Sequence, residues 1–358
     1  MPLPSQPRIL LLKTSSMGDI IHCFPALTDA LRAIPGIRFD WVVEEAFACL
    51  PGCHPAVDRV IPVALRRWRK HPLKTRRSGE WKHFRSDIDS ISYDLVLDAQ
   101  GLVKSAFLTR LSSAPSAGYD RHSIREPLAS LLYNRRYAVD RQQHAVERMR
   151  KLFALALDYE LPEGIGEYGL SLERLPKTLV PQESYLVFCH GTTWQTKLWP
   201  EGYWKQLAQI AADAGMTVYL PWGNAEEQAR AHRIANGIET VRVCPKASLI
   251  EVAGLIAHAQ GVVAVDTGLG HLAAALGVPT TALYGPTQPG LTGNYGAHQS
   301  ILSSSLDCAP CMNKRCHLAD GTSERYPVYP PCFEELGPER VWHNLKRNQD
   351  SLHKATPS

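Results

Sequence analysis

The chain lacks any unbroken run of about 18 apolar residues, the length that reads as a membrane-spanning helix. It also lacks a secretory leader pattern. In MPLPSQPRILLLKTSSMGD the apolar stretch is only Ile9 to Leu12, and it runs into a polar loop. A cytoplasmic protein is expected. No internal repeat of about 20–50 residues recurs, which excludes solenoids and propellers. No Asp-x-Asp closes an apolar strand, so that common mark of metal-dependent nucleotide-sugar chemistry is missing. Asp87-Ile88-Asp89 has the spelling but lies in FRSDIDSISYD, which reads as an amphipathic helix.

Strong charge of one sign is missing too. The 358 residues hold 39 Lys+Arg against 35 Asp+Glu, a net charge of +4. The excess is uneven: residues 1–180 carry 26 basic and 20 acidic side chains, and residues 181–358 carry 13 and 15. Nine cysteines, an odd number, fit reduced thiols better than a disulfide framework.

What is present is alternation. Short apolar strands read at 9–12, 39–43, 59–62 and 95–98, then at 185–189, 217–220, 240–243, 261–265 and 280–283. Helices fall between them, at 20–31, 204–214, 225–234 and 249–259, and a last one starts at Pro338. Such alternation predicts parallel sheets with helices on both faces. The Pro-, Gly- and charge-rich stretch ELPEGIGEYGLSLERLPKTLVPQES breaks the pattern midway. The expected architecture is two doubly wound α/β domains, 1–165 and 184–332, joined by a linker at 166–183. Residues 333–358 form a closing helix and tail expected to pack back on the first domain. Ligands are expected outside the carboxyl ends of the strands and in a cleft between the domains.

The loops after these strands carry the chemistry. LLKTSSMGDIIHCF places Asp19 at the mouth of the first helix, as a helix cap or a reacting carboxylate. GVVAVDTGLGHLAAALG sets Asp266, Thr267, Gly268 and His271 at a strand-to-helix turn suited to a phosphate. FCHGTTWQTKLWP offers the hydroxyls of Thr192 and Thr193 and the cation of Lys197. YLPWGNAEEQARAHRI puts Glu227 in the first turn of a helix, to serve the helix dipole or to accept from nucleotide sugar hydroxyls. Gly268, Gly270 and Ala273 also match a dinucleotide-binding spelling. No acid stands between Leu272 and Leu306 to take a ribose, so a NAD(P) enzyme is disfavoured.

From Arg66 to Arg85 nine basic residues stand against one acid, with Trp68 and Trp81 interleaved. The stretch reads as a solvated face, a nucleic-acid patch or a site for an anionic membrane-embedded substrate. No nucleic-acid motif accompanies it, so an anionic acceptor is the reading kept, and nucleic acid is not an expected partner. Cys308, Cys311, Cys316 and Cys332 have the spacing of a loose zinc site. Reduced thiols packing a loop are expected, with structural zinc as the alternative.

KTSSMGDIIHCFPALTDA, FDWVVEEAFA, ALRRWRK, LDAQGLVKSA, REPLASLLYNRRY, QQHAVERMR and VDTGLGHLAAALGVPTTALYGPTQPGL together resemble the ADP-heptose:lipopolysaccharide heptosyltransferase family, over about residues 8–300. The resemblance implies the GT-B fold, with two Rossmann-like domains facing a cleft. It implies an acceptor-binding first domain, an ADP-heptose-binding second domain and inverting transfer of L-glycero-D-manno-heptose. The acceptor it implies is the Kdo of Kdo-lipid A, in lipopolysaccharide inner-core synthesis at the cytoplasmic face of the inner membrane. No further cofactor is implied.

By the same resemblance Asp19 is the catalytic base and Lys197 assists the leaving diphosphate. Thr192, Thr193, Asp266, Thr267, Gly268 and His271 surround diphosphate and heptose, and Glu227 takes the adenosine ribose. Ser16, Arg66, Arg67, Arg69, Lys70, Lys104 and Arg125 face the acceptor. The cysteine-rich segment near 306–332 looks more like the family's second-heptose members, and the RRWRK and REPLAS stretches like its first-heptose members. Addition of the second heptose, or a non-enzymatic nucleotide- or nucleic-acid-binding role, are the alternatives.

Overall fold

The computed structural model describes residues 4–355, apart from the side chains at 72, 74, 76 and 352–355. The chain forms two compact units, 1–171 and 172–358. The side chains of Lys74 and Arg76, part of the basic stretch, lie outside the described ones.

The first unit contains six strands: β1 (Arg8–Leu12), β2 (Arg38–Glu44), β3 (Val57–Val63), β4 (Leu95–Asp98), β5 (Ser116–Tyr119) and β6 (Arg135–Tyr137). They lie in the order β3-β2-β1-β4-β5-β6, every pair parallel. Strands buried on both faces read as continuous apolar runs, and Ile9 to Leu12 and Leu95 to Leu97 are fully buried. The helices are α1 (Met17–Ile21), α2 (Phe24–Ala33), α3 (Leu65–Lys70), α4 (Pro72–Ser78), α5 (Glu80–Asp89), α6 (Val103–Leu108) and α7 (Ala145–Leu157). The single helix expected over 20–31 is two. It breaks at His22 and Cys23, and Pro25, which has no N–H to give, stands at the start of α2.

α2 and α7 are joined by a buried ion pair. Arg150, only 2% exposed, donates from Nε to Asp29 Oδ2 at 2.6 Å. Its other nitrogens donate to the carbonyls of Gly164 (2.8 Å) and Pro162 (2.9 Å). One guanidinium thus ties the segment that leaves the first unit to two of its helices.

The second unit repeats the plan. Its strands are β7 (Tyr185–Cys189), β8 (Thr217–Leu220), β9 (Val241–Val243), β10 (Gly261–Val265), β11 (Thr280–Tyr284) and β12 (Gln299–Ser303), in the order β12-β11-β10-β7-β8-β9 and all parallel. Its helices are α8 (Glu201–Asp213), α9 (Ala225–Ala235), α10 (Leu249–Ala257), α11 (Gly268–Ala275), α12 (Pro289–Thr292) and α13 (Pro338–Ala355). α13 lies against α8, β10, β11 and β12 of its own unit. Val341 and Leu345 join the core formed by Val263, Leu283 and Trp204, and Asn344 accepts from Thr281 Oγ1 at 3.1 Å.

Replacing Arg150 by Met should cost about 3–5 kcal/mol, because it strands the Asp29 carboxylate in the core. Arg32→Met, which breaks only the exposed pair with Glu167, should cost about 1 kcal/mol or less. Urea denaturation of both variants checks the contrast.

Candidate functional site

In each sheet the strand order reverses at one point, between β1 and β4 in the first unit and between β7 and β10 in the second. Loops that leave neighbouring strands there turn to opposite faces and open a crevice at the carboxyl ends. Asp19 follows β1 at the first, and Thr192, Lys197, Asp266 and His271 follow β7 and β10 at the second.

In the first unit, β1 ends at Leu12, beside Asp98 at the end of β4. Asp98 is fully buried and organises the β4 loop. It accepts from the N–H of Gln100 (2.8 Å) and Gly101 (3.2 Å) and from the hydroxyls of Ser105 (2.8 Å) and Tyr133 (2.7 Å). Gln100 in turn holds the β1 loop, its Oε1 accepting from the backbone N–H of Thr14 (2.9 Å) and Ser15 (3.0 Å). The Ser15–Ser16 peptide bond is cis.

Asp19 sits on this platform in the third position of α1. Its Oδ2 accepts from the Ser16 N–H and hydroxyl, both at 2.8 Å, which closes a capping box. Its Oδ1 faces Lys13 Nζ at 3.7 Å. The Asp19 side chain is 45% exposed, whereas Lys13 is buried and donates to the Ala99 carbonyl at 3.1 Å. Burial works against ionisation of Asp19, but Lys13, Ser16 and Arg125 outweigh it and hold the carboxyl below its ordinary range. Asp19 therefore caps its helix with one oxygen and keeps an ionised second oxygen towards solvent. Sequence reasoning missed Lys13 and Gln100. The signal for Lys13 was a cation directly after a buried strand, in the same loop as the acid.

The basic stretch divides. Arg66, Arg69, Lys70 and Lys104 line a cavity of about 590 Å³ together with Leu65, Trp68, Thr75 and Trp81. Arg67 is not among its walls. It bridges Glu45 (2.9 Å) and Glu80 (2.8 Å), and Trp68 Nε1 donates to Glu80 at 2.7 Å. Those hydrogen bonds, from Arg67 first and then Trp68, hold the Glu80 carboxyl down at about 2. Arg67, expected to face an acceptor, is a brace between the end of β2 and α5.

In the second unit Asp266 follows β10 and is the hub. Its Oδ2 takes Lys197 Nζ and the Thr287 hydroxyl, each at 2.7 Å, and its carbonyl accepts from Thr192 Oγ1 at 2.9 Å. His271 Nε2 lies 3.8 Å from Oδ1. Lys197 also stands over the Trp194 ring, 4.4 Å from its centroid. Thr267 takes the N-cap position of α11, with no capping bond from its side chain, and the first turn is Gly268, Leu269 and Gly270. A Cβ on Gly270 would meet Ala264 at 2.9 Å, so glycine lets α11 approach β10. Thr193 is exposed beside Thr192.

Glu227 caps its own loop. It accepts from the Gly223 N–H at 2.7 Å, and Asn224 Oδ1 caps the Glu227 N–H at 3.0 Å. A Cβ on Gly191 would lie 2.6 Å from the Glu227 carboxyl carbon. A glycine there lets the Thr192 loop and Glu227 close on each other. The structure thus brings Thr192, Lys197, Glu227, Asp266, Thr267, Gly268 and His271 onto neighbouring loops at one end of one sheet. Thr287, which completes the ring around Asp266, was not singled out from sequence.

Residues 81–320 match glycosyltransferase family 9 (heptosyltransferase). The chain is 56% identical over 345 residues to lipopolysaccharide heptosyltransferase 1 of Pseudomonas aeruginosa, covering 95% of this chain and 97% of that one. It belongs to the heptosyltransferases of glycosyltransferase family 9. The structure of the Escherichia coli heptosyltransferase WaaC with ADP superposes with a TM-score of 0.84 at 46% identity, covering 95% of this chain and 99% of that one. The same enzyme with ADP-2-deoxy-2-fluoro heptose gives 0.80 at 45% identity, with the same coverage. The two α/β units are therefore those of a GT-B glycosyltransferase.

Four thiols of this family member, those of Cys308, Cys311, Cys316 and Cys332, are free and line one small cavity with His317. Among the described residues no three His, Cys, Asp or Glu side chains are arranged to hold a metal ion. Burial first and the neighbouring thiols second push Cys332 up to about 12.

Lys13→Met removes the nearest cation from Asp19. An NMR titration of the Asp19 carboxyl should start below the ordinary carboxylate range and move up in the variant. An unmoved midpoint would contradict the assignment.

Proposed function

We propose that the chain transfers L-glycero-D-manno-heptose from ADP-heptose to the Kdo of Kdo-lipid A, as an inverting glycosyltransferase. The observation that carries the reading is the ionised, half-open carboxylate of Asp19, held beside a buried lysine at the first unit's switch point. A donor platform at the second unit's switch point accompanies it. The E. coli relative bound to ADP and to an ADP-heptose analogue supports the same donor here.

In the reaction an acceptor hydroxyl attacks C1 of the heptose as ADP leaves from the opposite side. Asp19 takes the hydroxyl proton as the new C–O bond forms. The C1–phosphate bond breaks and its electron pair goes to the diphosphate. Lys197 and the backbone N–H groups opening α11 meet that growing charge, a contribution made mainly in the transition state. Glu227 accepts from the adenosine ribose hydroxyls. Arg66, Arg69, Lys70 and Lys104 present four cations to the anionic sugar and phosphates of the acceptor. No helix among the described residues is long and apolar enough to cross a membrane. The acceptor's lipid anchor has the enzyme meet it at the surface of the inner membrane, on the cytoplasmic face.

Asp19→Ala should lower kcat by about 10²–10⁴-fold on Kdo-lipid A, while the lost cap costs only about 1 kcal/mol of stability. ADP release and a thermal melt on the same preparation check both. Near-full turnover in the variant contradicts the base assignment. Release only with an acceptor that already carries one heptose moves the enzyme to the second addition.

A further inference from the structure

Three large apolar side chains of the first unit stand in solvent on adjoining elements. Phe107 on α6 is 60% exposed. Leu128 and Leu131, on the 3-10 turn Pro127–Leu132, are 71% and 65% exposed. α6 and this turn lie against each other. Ala106, Leu108, Ala129 and Ser130 take the buried positions of the two elements, which leaves Phe107 and the two leucines outside. Single exposed apolar residues need no explanation, but a group on packed neighbours marks an interaction surface.

The chemistry around the group says what it meets. Lys104, Arg110, Arg121 and Arg125 are exposed on the same two elements or directly beside them. Between Gln100 and Tyr137 the acids are Asp120 and Glu126 alone. Both are engaged: Asp120 accepts from the N–H of His122 (3.2 Å) and Ser123 (2.8 Å), and Glu126 accepts from the Val103 N–H at 2.7 Å. Lys104 also lines the basic cavity, where Trp81 forms part of the wall, and Leu73 on α4 is 74% exposed. Apolar tips rimmed by cations complement a bilayer with anionic headgroups: the tips enter the acyl boundary and the cations meet phosphates.

We propose that Phe107, Leu128 and Leu131 form a membrane-docking face, held on an anionic bilayer by the surrounding arginines and lysine. The face places the basic cavity at the depth where a lipid-borne sugar emerges. The inference rests on the acceptor reading above for its purpose, but its test needs no turnover.

The test is sedimentation of the full chain with phosphatidylcholine vesicles, with and without phosphatidylglycerol. Wild type should pellet with the anionic vesicles and lose that binding as salt is raised. The triple variant Phe107→Ser, Leu128→Ser, Leu131→Ser should lower the bound-to-free ratio by about tenfold or more. Its melting temperature and its rate on an acceptor stripped of acyl chains should stay at wild-type values. Equal vesicle binding by wild type and variant overturns the proposal, as does wild type that binds no vesicles. A variant that changes only the monomer–dimer balance assigns the face to a second copy of the chain and overturns it too. A variant that loses vesicle binding while neither protein transfers heptose to any acceptor upholds the docking face and refutes the acceptor reading.

Discussion

The reversal of strand order is the constraint on which the rest depends. A parallel sheet carries helices on both faces, and its connections must part somewhere. Here they part between β1 and β4, and again between β7 and β10. Backbone ends are exposed there without opening the core. Lys13 to Asp19 and Gln100 border the first opening, and Thr192 to Lys197 and Asp266 to His271 border the second. One topological plan, used twice, supplies two crevices of different character.

The difference lies in which member of a lysine–aspartate pair is saturated. In the first unit Lys13 is buried and tied to the Ala99 carbonyl, which leaves a carboxylate oxygen of Asp19 open. In the second unit Asp266 is nearly buried and is filled by Thr287 and Lys197. Lys197, stacked on Trp194, is held at the mouth with the first turn of α11. An open carboxylate beside a fixed cation suits proton removal. A fixed carboxylate steering a cation suits an anionic leaving group.

Much of this was legible in the residues. Strands buried on both faces announce themselves as apolar runs, and β4, β7, β8 and β10 fall at the residues expected for them. β5, β6 and β12 did not. SAGY in β5, RRY in β6 and QSILS in β12 are short or polar, and pairing alone makes them strands. The break between α1 and α2 was written in Pro25 but outweighed by the apolar periodicity around it. In the sites, residues with an acid, a hydroxyl or a glycine at a strand end could be named. Gln100 and Thr287 act through partners distant in sequence, which no spacing reveals. Arg67 shows the converse: a basic run reads as one patch until Glu45 and Glu80 claim one of its members.

A crystal structure of this chain with ADP tests the central claim most directly. The account predicts the diphosphate at the first turn of α11 within reach of Lys197, the ribose hydroxyls on Glu227, and the first unit's Asp19 crevice free of nucleotide. ADP seated at the Asp19 loop, or a diphosphate that meets neither Lys197 nor the Gly268–His271 backbone, would contradict the division of labour between the two switch points.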